Sequence, residues 1–359
     1  MPQIVAARLR AQRLDGPAFA EPVDVVRHFG AVQSQDYPGA KWALGLRLER
    51  AADADLDRAY DEGSILRTHV LRPTWHFVAP EDIRWMLALT GPRIHRSMAS
   101  RFRNLELDAP TIRRAQALFE KALSGGQCLT RVELGEVLSS AGIAPDGQRL
   151  PHLLMVGELS GLLTSGPRKG KLLSYALLEE RVPRARVLDD AEAVAELAQR
   201  YFVSHGPATL RDFVWWSGLT QAEARRGVAD ARGILDPVEV DGVEHWFDAR
   251  LGTPRTRTPA ALLLPNFDEY TVGYADRAAL MHPERPFRPE LFAFSSVLSN
   301  VLVIGGTLAG AWRRVAARDG VRIEVRPLAK LDAAEQRLVE RAAERYSRFL
   351  GLPARVVWL

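Results

Sequence analysis

The sequence has little of the chemistry that holds disulfides, metals or membranes. Cys128 is its only cysteine, which excludes intramolecular disulfides, cysteine-based zinc sites and iron–sulfur clusters. No apolar run approaches the ~18 residues of a membrane span, and the arginine-spaced N-terminus lacks the apolar block of a signal peptide. The eight histidines show no metal-ligand spacing. We therefore expect no metal, no other cofactor and no membrane contact.

Lysine is scarce as well. Only five of the 48 basic residues are lysines, and with 44 acidic residues the formal net charge is +4. The planar guanidinium of arginine donates two parallel hydrogen bonds to phosphate, so an arginine bias suits a DNA-binding protein. A GC-rich genome also favours arginine codons, so this bias alone does not establish a basic binding face.

Standard catalytic and nucleotide-binding motifs are absent. We find no GxGxxG, GxxxxGK[ST], HExxH or GxSxG pattern. Gly305, Gly306 and Gly310 lie between two short apolar runs, so we interpret them as hairpin glycines and not as a phosphate-binding loop.

The sequence does contain a repeated pattern of three helices followed by a hairpin. The pattern occurs three times at a spacing of roughly 80 residues, which is typical of winged helix-turn-helix units. Capping-box sequences at Thr130, Thr209 and Thr220 mark helix starts in the second and third copies. Asp241-Gly242 is a favourable two-residue hairpin turn.

The pattern changes after residues 253–259, which we interpret as a linker. Short strands, a hairpin over residues 301–311 and a long helix over residues 332–350 follow. We therefore predict an α+β fold with three tandem winged helix-turn-helix units and a smaller, β-rich mixed α/β region at the C-terminus. The predicted boundaries are 1–105, 106–187, 188–252 and 260–359.

Two polar segments lie in the first predicted unit. Residues 32–40 place Gln33 and Gln35 in an extended stretch, so both side chains would point to one face. The alternative is a polar surface loop. Residues 66–77 concentrate two arginines, two histidines and Trp75 on the predicted wing. The alternative there is a half-buried hairpin with a polar outer face.

A third segment, residues 264–270, begins the C-terminal region. It contains Asn266, Asp268, Glu269 and Tyr270, and residues 274–277 add a further carboxylate. Paired carboxylates are able to act as general acid and base. The alternative is a turn whose charges are solvated.

These three segments together resemble the AlkZ-like DNA glycosylases, a family of winged-helix proteins. The resemblance runs nearly from end to end, through the motifs Val32-Gln33-Ser34-Gln35, Arg72-Pro73-Thr74-Trp75-His76 and Asn266-Phe267-Asp268-Glu269-Tyr270. It implies a C-shaped molecule with a concave DNA-facing surface. The family's catalytic element is Gln-x-Gln or, in a second branch, Gln-x-Asp. This chain is similar to the Gln-x-Gln branch, with Ser34 where an apolar residue is usual.

The resemblance implies that Gln33 and Gln35 are catalytic. The residues that we expect to contact substrate or DNA are Asp36, Arg67, His69, Arg72, Trp75, His76, Asn266, Asp268, Tyr270, Arg313 and Arg314. The last two come directly after the 301–311 hairpin, which we expect to reach the duplex and its phosphates.

Two neutral amides are poor bases, but they are able to orient one water molecule. That is sufficient when the leaving base is already cationic, because N7-alkylguanine or N3-alkyladenine departs as a neutral molecule. The predicted substrates are therefore cationic N-alkylated purines in double-stranded DNA. The resemblance adds bulky adducts and interstrand crosslinks.

We expect a monomeric, monofunctional DNA glycosylase, cytoplasmic and associated with the nucleoid. A bifunctional glycosylase would need a nucleophilic amine, and Lys41 alone lies near the two glutamines. We expect Lys41 to face solvent or a phosphate; the alternative is a nucleophilic lysine. Two other functions remain open: a winged-helix transcription regulator without catalytic activity, and a family member that binds alkylated DNA without cleaving it.

Overall fold

The computed structural model describes residues 2–16, 18–231, 233–248, 250 and 260–359. The predicted linker at residues 253–259 lies outside them. The chain divides into two compact units. Unit 1 consists of Met1–Leu56 and Ala195–Leu359, and unit 2 consists of Asp57–Val194.

The described residues form fifteen α-helices. In chain order these are α1 (Pro2–Ala11), α2 (Pro22–Phe29), α3 (Tyr37–Gly45), α4 (Asp53–Glu62), α5 (Ile83–Ser97), α6 (Ala99–Asn104), α7 (Ala109–Leu123), α8 (Arg131–Ser140), α9 (Arg149–Leu159), α10 (Leu178–Arg181), α11 (Asp190–His205), α12 (Leu210–Ser217), α13 (Gln221–Asp230), α14 (Glu269–Val272) and α15 (Ala333–Leu350). No described helix is both long and apolar enough to cross a bilayer.

Thirteen β-strands occur in the same residues. They are β1 (Ala31–Gln33), β2 (Leu66–His69), β3 (Trp75–Val78), β4 (Leu129–Thr130), β5 (Leu163–Lys169), β6 (Leu172–Leu177), β7 (Leu235–Val240), β8 (Val243–Asp248), β9 (Ala261–Leu264), β10 (Val301–Ile304), β11 (Thr307–Ala317), β12 (Gly320–Pro327) and β13 (Ala354–Trp358). The α+β class is confirmed. The three winged units and their boundaries remain predictions.

The predicted capping boxes are present. The side chains of Thr130, Thr209 and Thr220 each accept a hydrogen bond from the backbone three residues later, and the carboxylate at that position bonds back. These contacts satisfy backbone donors that the first helical turn leaves unpaired. They therefore begin α8, α12 and α13 where the sequence predicted.

Unit 2 combines two antiparallel hairpins with a helical core. β2 pairs with β3, and β6 lies between β4 and β5. Apolar side chains of α7, α8 and α9 form the core, including Phe119, Leu134 and Leu154. Burial of this apolar surface is the main stabilising term for such a unit.

Unit 1 contains a five-stranded sheet in the order β13-β12-β11-β10-β9. Only the β12–β13 pair in that sheet is parallel. Tyr346 of α15 packs its ring 5.3 Å from Trp312 of β11 and 4.8 Å from Trp42 of α3. Gly305 and Gly306 form the β10–β11 turn with φ of +60° and +86°, which confirms the hairpin interpretation of these glycines.

One strand differs from the prediction. β11 extends to Ala317, so Arg313 and Arg314 lie within a strand and not after the hairpin. Cross-strand pairing with β12 continues the strand beyond the predicted end at residue 311.

Candidate active site

The segment with the two glutamines begins as a strand and ends at a helix. β1 ends at Gln33, and Asp36 is the N-cap of α3. Gln33 is 6% exposed and Ser34 is fully buried, whereas Gln35 is exposed. The interpretation as a polar surface loop is therefore wrong for Gln33 and Ser34, because the end of β1 and the residue that follows it lie in the interior.

Glu269 is a buried carboxylate that holds this segment. Its Oε1 accepts a 2.8 Å hydrogen bond from the backbone N–H of Gln33. Its Oε2 accepts a 2.9 Å bond from the indole N–H of Trp216 and lies 3.2 Å from Nε2 of His205. Burial lowers the pKa of His205, although the Glu269 carboxylate opposes this shift. Hydrogen bonds to a carboxylate are stronger than neutral ones, so Glu269 fixes the end of β1 firmly.

A second contact lies on the other side of Gln35. Asp36 Oδ2 accepts a 2.9 Å hydrogen bond from Nδ2 of Asn266, and Oδ1 accepts a 3.3 Å bond from the backbone N–H of Gly39. A Cβ at Gly39 would lie 2.8 Å from Asp36 Oδ2 and 3.2 Å from Cβ of Pro265. The helix start and residues 265–266 therefore pack too closely for a larger side chain at Gly39.

Asp268 and Tyr270 lie in the interior of unit 1. Arg47 donates two 2.9 Å hydrogen bonds to the two oxygens of Asp268, and both side chains are buried. The Tyr270 hydroxyl donates a 2.8 Å bond to the carbonyl of Gly306, and burial raises its pKa. Solvated charges are therefore the wrong interpretation, because Asp268 and Glu269 are each 1% exposed. A direct DNA contact by Asp268 or Tyr270 remains a prediction.

The predicted wing residues lie in unit 2. The Arg67 guanidinium lies 4.3 Å from the ring centroid of Trp75, and the His69 ring lies 4.4 Å from the same indole. His69 Nδ1 forms a short contact with Oε2 of Glu158. All four residues of β2 are buried, so the alternative of a half-buried hairpin with a polar outer face does not hold for that strand.

The two remaining predicted contact residues of the wing segment, His76 and Arg72, differ in exposure. His76 is fully buried, and its Nδ1 lies 2.9 Å from the carbonyl oxygen of Thr74. Arg72 lies half-buried in the connection between β2 and β3. A DNA contact by Arg72 or His76 remains a prediction.

The two arginines of β11 are exposed. The Arg313 guanidinium donates a 2.6 Å hydrogen bond to Glu324 on β12, and Arg314 reaches the Tyr346 hydroxyl at 3.5 Å. Adjacent strand residues point to opposite faces, so these two side chains do not form one patch. Their contact with DNA remains a prediction.

Lys41 does not face solvent. It is 5% exposed, and its ammonium lies 2.8 Å from Oδ2 of Asp53. The expected orientation toward solvent or a phosphate is therefore wrong, since α3 begins at Tyr37 and directs Lys41 inward. Within the described part of the chain, no three His, Cys, Asp or Glu side chains form a group that would hold a metal ion.

Sequence reasoning missed three residues that position the site. Glu269 lies within the third polar segment but is not among the predicted contact residues, and no role was predicted for Trp216 or His205. The sequence signal for a buried Glu269 was its position directly before Tyr270 and close to the apolar Val272. Nothing local indicated that it would meet β1, because the hydrogen bond spans 236 positions of the chain.

The chain is similar to known DNA glycosylases. The family described as DNA glycosylase AlkZ-like matches residues 26–349. A relative from Streptomyces sahachiroi, named interstrand DNA cross-link repair glycosylase, is 25% identical over 380 residues, covering 99% of this chain and 98% of its own. The solved structure of Streptomyces sahachiroi DNA glycosylase AlkZ is 23% identical, with a TM-score of 0.80 and 99% of each chain covered.

The family match decides between the two protein classes that the sequence left open. It covers most of the chain, including all of the segments from Gln33 to Tyr270. It favours an enzyme over a transcription regulator, because the family is defined by a catalytic activity. The chain belongs to the AlkZ-like DNA glycosylase family.

Proposed function

We propose that this glycosylase hydrolyses the N-glycosidic bond of cationic N-alkylated purines in double-stranded DNA, with Gln33 and Gln35 orienting the attacking water. The observation that carries the proposal is the anchoring of the segment on both sides of Gln35. Glu269 holds the backbone of Gln33, and Asn266 holds the carboxylate of Asp36. Such support is what a water-positioning site requires, because small displacements of the positioning groups are costly.

The chemistry of the amides limits the substrate. Neither glutamine is able to remove a proton from water as effectively as a carboxylate does. A neutral lesion such as uracil would leave as an anion and would need further assistance. N7-alkylguanine and N3-alkyladenine carry a positive charge and leave as neutral molecules. Orientation of one water molecule then lowers the remaining barrier to hydrolysis. No metal or organic cofactor is needed for this step.

The exposures of the two glutamines suit different contacts. Gln33 is buried, so its amide is restricted in motion, whereas Gln35 is accessible to a duplex. We propose that the side chain of Gln35 contacts the substrate only when DNA is bound. The exposed guanidiniums of Arg313 and Arg314 are proposed phosphate contacts, and the enzyme is proposed to act as a monomer on nucleoid DNA in the cytoplasm.

Bulky adducts and interstrand crosslinks belong to the same proposal. The Streptomyces sahachiroi relative is named for crosslink repair. A crosslinked base is tethered to the opposite strand, so complete extrusion from the duplex is prevented. Hydrolysis by an oriented water at an exposed glutamine does not require the base to enter a closed pocket.

Release of 7-methylguanine from methylated DNA tests the proposal. We expect Gln35→Ala to lower the rate on the order of a hundredfold, since a positioned catalytic group typically contributes that much. Gln336→Ala removes an exposed glutamine on α15 and is the matched control. DNA affinity is measured in parallel, because a protein that binds alkylated DNA but releases no base would belong to the non-cleaving alternative. A Gln35→Ala enzyme with full activity would exclude the catalytic assignment.

A further inference from the structure

Unit 2 contains a cavity to which the proposed reaction assigns no step, although Arg67 and Trp75 of its lining are among the predicted DNA contacts. Its volume is about 350 Å³, and its lining includes Tyr60, Arg67, Trp75, Glu158 and Tyr175. Small-molecule sites commonly have volumes of roughly 300–1,000 Å³, with aromatic walls and a few converging polar groups. This cavity has both properties.

The polar groups of the lining carry opposite charges. Glu158 is 1% exposed, and its Oε2 contacts His69 Nδ1. Arg67 is 9% exposed and lies over the Trp75 ring at 4.3 Å. Burial raises the pKa of Tyr60 to about 12, so its hydroxyl stays neutral. The cavity therefore offers a carboxylate, a guanidinium and aromatic faces where little water competes.

The mouth of the cavity is apolar and basic. Leu172 is 58% exposed and Val132 is 65% exposed, so two apolar side chains of the lining are accessible from solvent. Arg131 also lines the cavity and is exposed. The nearby Glu133 carboxylate is already bonded to the backbone of Thr130 and to Lys169.

We propose that this cavity binds a guanine base. Guanine alone among the DNA bases presents two adjacent N–H donors on its Watson–Crick edge, and a carboxylate accepts two parallel hydrogen bonds. Glu158 receives these donors, its Oε2 accepting one beside the bond from His69 through its second lone pair. Arg67 donates toward O6, and aromatic side chains of the lining pack against the base. The base comes either from a nucleotide of the DNA strand or from free base and nucleotide in solution. Both sources present the same base to the cavity. Only a ligand that carries a phosphate would also bind the exposed Arg131 at the mouth.

Calorimetric titration of the purified full chain with dGMP, dAMP and dCMP tests this proposal. We expect dGMP to bind at least about tenfold more tightly than the other two, which corresponds to about 1.4 kcal/mol. Glu158→Gln replaces one acceptor by a donor and should weaken dGMP binding about tenfold or more. Glu120→Gln changes an exposed carboxylate on α7 and should have no effect. Equal binding of all three nucleotides, or none, would overturn the proposal.

A second variant covers the case in which Glu158→Gln disturbs the buried His69 contact. Leu172→Trp adds bulk at the exposed mouth and should abolish dGMP binding, whereas Val187→Trp adds the same bulk at a residue that is 88% exposed and should not. Unchanged dGMP affinity in Leu172→Trp would contradict the assigned site.

The two sources are separated by comparing dGMP, guanosine and the trinucleotide d(TGT). Tighter binding of d(TGT), weakened by Arg131→Ala, identifies a nucleotide of the strand. Equal binding of guanosine and dGMP, with no effect of Arg131→Ala, identifies the free base. Base release is not measured, so failure here leaves the proposed reaction unaffected.

Discussion

At the scale of residues, unit 1 is organised by two adjacent buried carboxylates. Asp268 and Glu269 are neighbours in the chain, and each has its own set of donors. Arg47 neutralises Asp268, while Glu269 receives N–H groups from Trp216 and Gln33. A buried charge without such partners would be strongly destabilising, so neither carboxylate tolerates the loss of its donors.

Glu269→Gln should therefore lower the free energy of unfolding by about 2–3 kcal/mol, because the amide nitrogen would meet donors in place of an acceptor. Base release should fall as well, since the backbone of Gln33 loses its anchor. Urea denaturation and the rate of 7-methylguanine release measure the two effects.

Glu340→Gln serves as the control for this variant, because Glu340 is exposed on α15. Wild-type stability in Glu269→Gln would mean that the carboxylate is not needed to hold β1.

His28 predicts a pH dependence of stability. Burial lowers its pKa to about 4, and the cations Arg13 and Arg47 act in the same direction. The unfolded histidine titrates near 6.5, so between about pH 6.5 and 4 only the unfolded chain binds the proton. This contribution to stability is complete above pH 6.5 and falls by up to roughly 3 kcal/mol as the pH drops to 4.

Denaturation curves across that pH range should show this loss, and His28→Gln should make the dependence shallower. His205 shifts in the same direction because of burial, so a residual slope is expected. An identical slope in wild type and His28→Gln would rule out His28 as its source.

At the scale of elements, the β10–β11 turn contains two glycines, Gly305 and Gly306, that both have positive φ but differ in their surroundings. A Cβ at Gly306 would lie 2.2 Å from Cγ1 of Val5, whereas a Cβ at Gly305 would meet nothing within 4 Å. Gly305→Ala should cost roughly 1–2 kcal/mol of backbone strain.

Gly306→Ala should cost that strain and about 1–3 kcal/mol more, because α1 must shift to admit the methyl group. Thermal unfolding of the two variants side by side measures the difference. Equal destabilisation would show that α1 does not pack against the turn as described.

The elements that were predicted correctly have local determinants. A capping box, a two-residue turn or a long amphipathic pattern lies within a few residues of the helix or strand that it specifies, as at Thr220 and Asp241. α14 was missed because four residues are too few for a periodic pattern. The end of β11 was missed because pairing with β12 determines it.

The site was predictable in part. The resemblance identified Gln33 and Gln35, but local sequence did not indicate that one would be buried and the other exposed. The position of Gln33 depends on the hydrogen bond from its backbone to Glu269, which is far away in the chain and is itself bonded to Trp216. The polarity of Lys41 suggested an exposed position, but its side chain is buried and its ammonium is paired with the half-buried Asp53.

At the scale of the whole molecule, the small number of lysines bears on whether the glycosylase also cleaves the DNA strand. The chain has five lysines. Lys41, the one nearest the glutamines, is 5% exposed and paired with Asp53. A bifunctional glycosylase requires an amine that attacks the sugar. We therefore expect no covalent protein–DNA adduct when borohydride is added during turnover.

The product should instead be an intact strand with an abasic site, which breaks only after treatment with alkali. Gel electrophoresis of labelled methylated DNA measures both outcomes, with a glycosylase that is also a lyase as the positive control. An adduct that disappears in Lys41→Ala would show that the ion pair opens to expose a nucleophile.

The discontinuity of unit 1 has a consequence during protein synthesis. The segment Met1–Leu56 leaves the ribosome first, but its partner Ala195–Leu359 follows only after all of unit 2. Gln33 is translated 236 residues before the carboxylate that holds it. At roughly 5–20 residues per second, this interval is about 12–50 s. The nascent N-terminal segment therefore remains without its native neighbours until the segment Ala195–Leu359 has been synthesised.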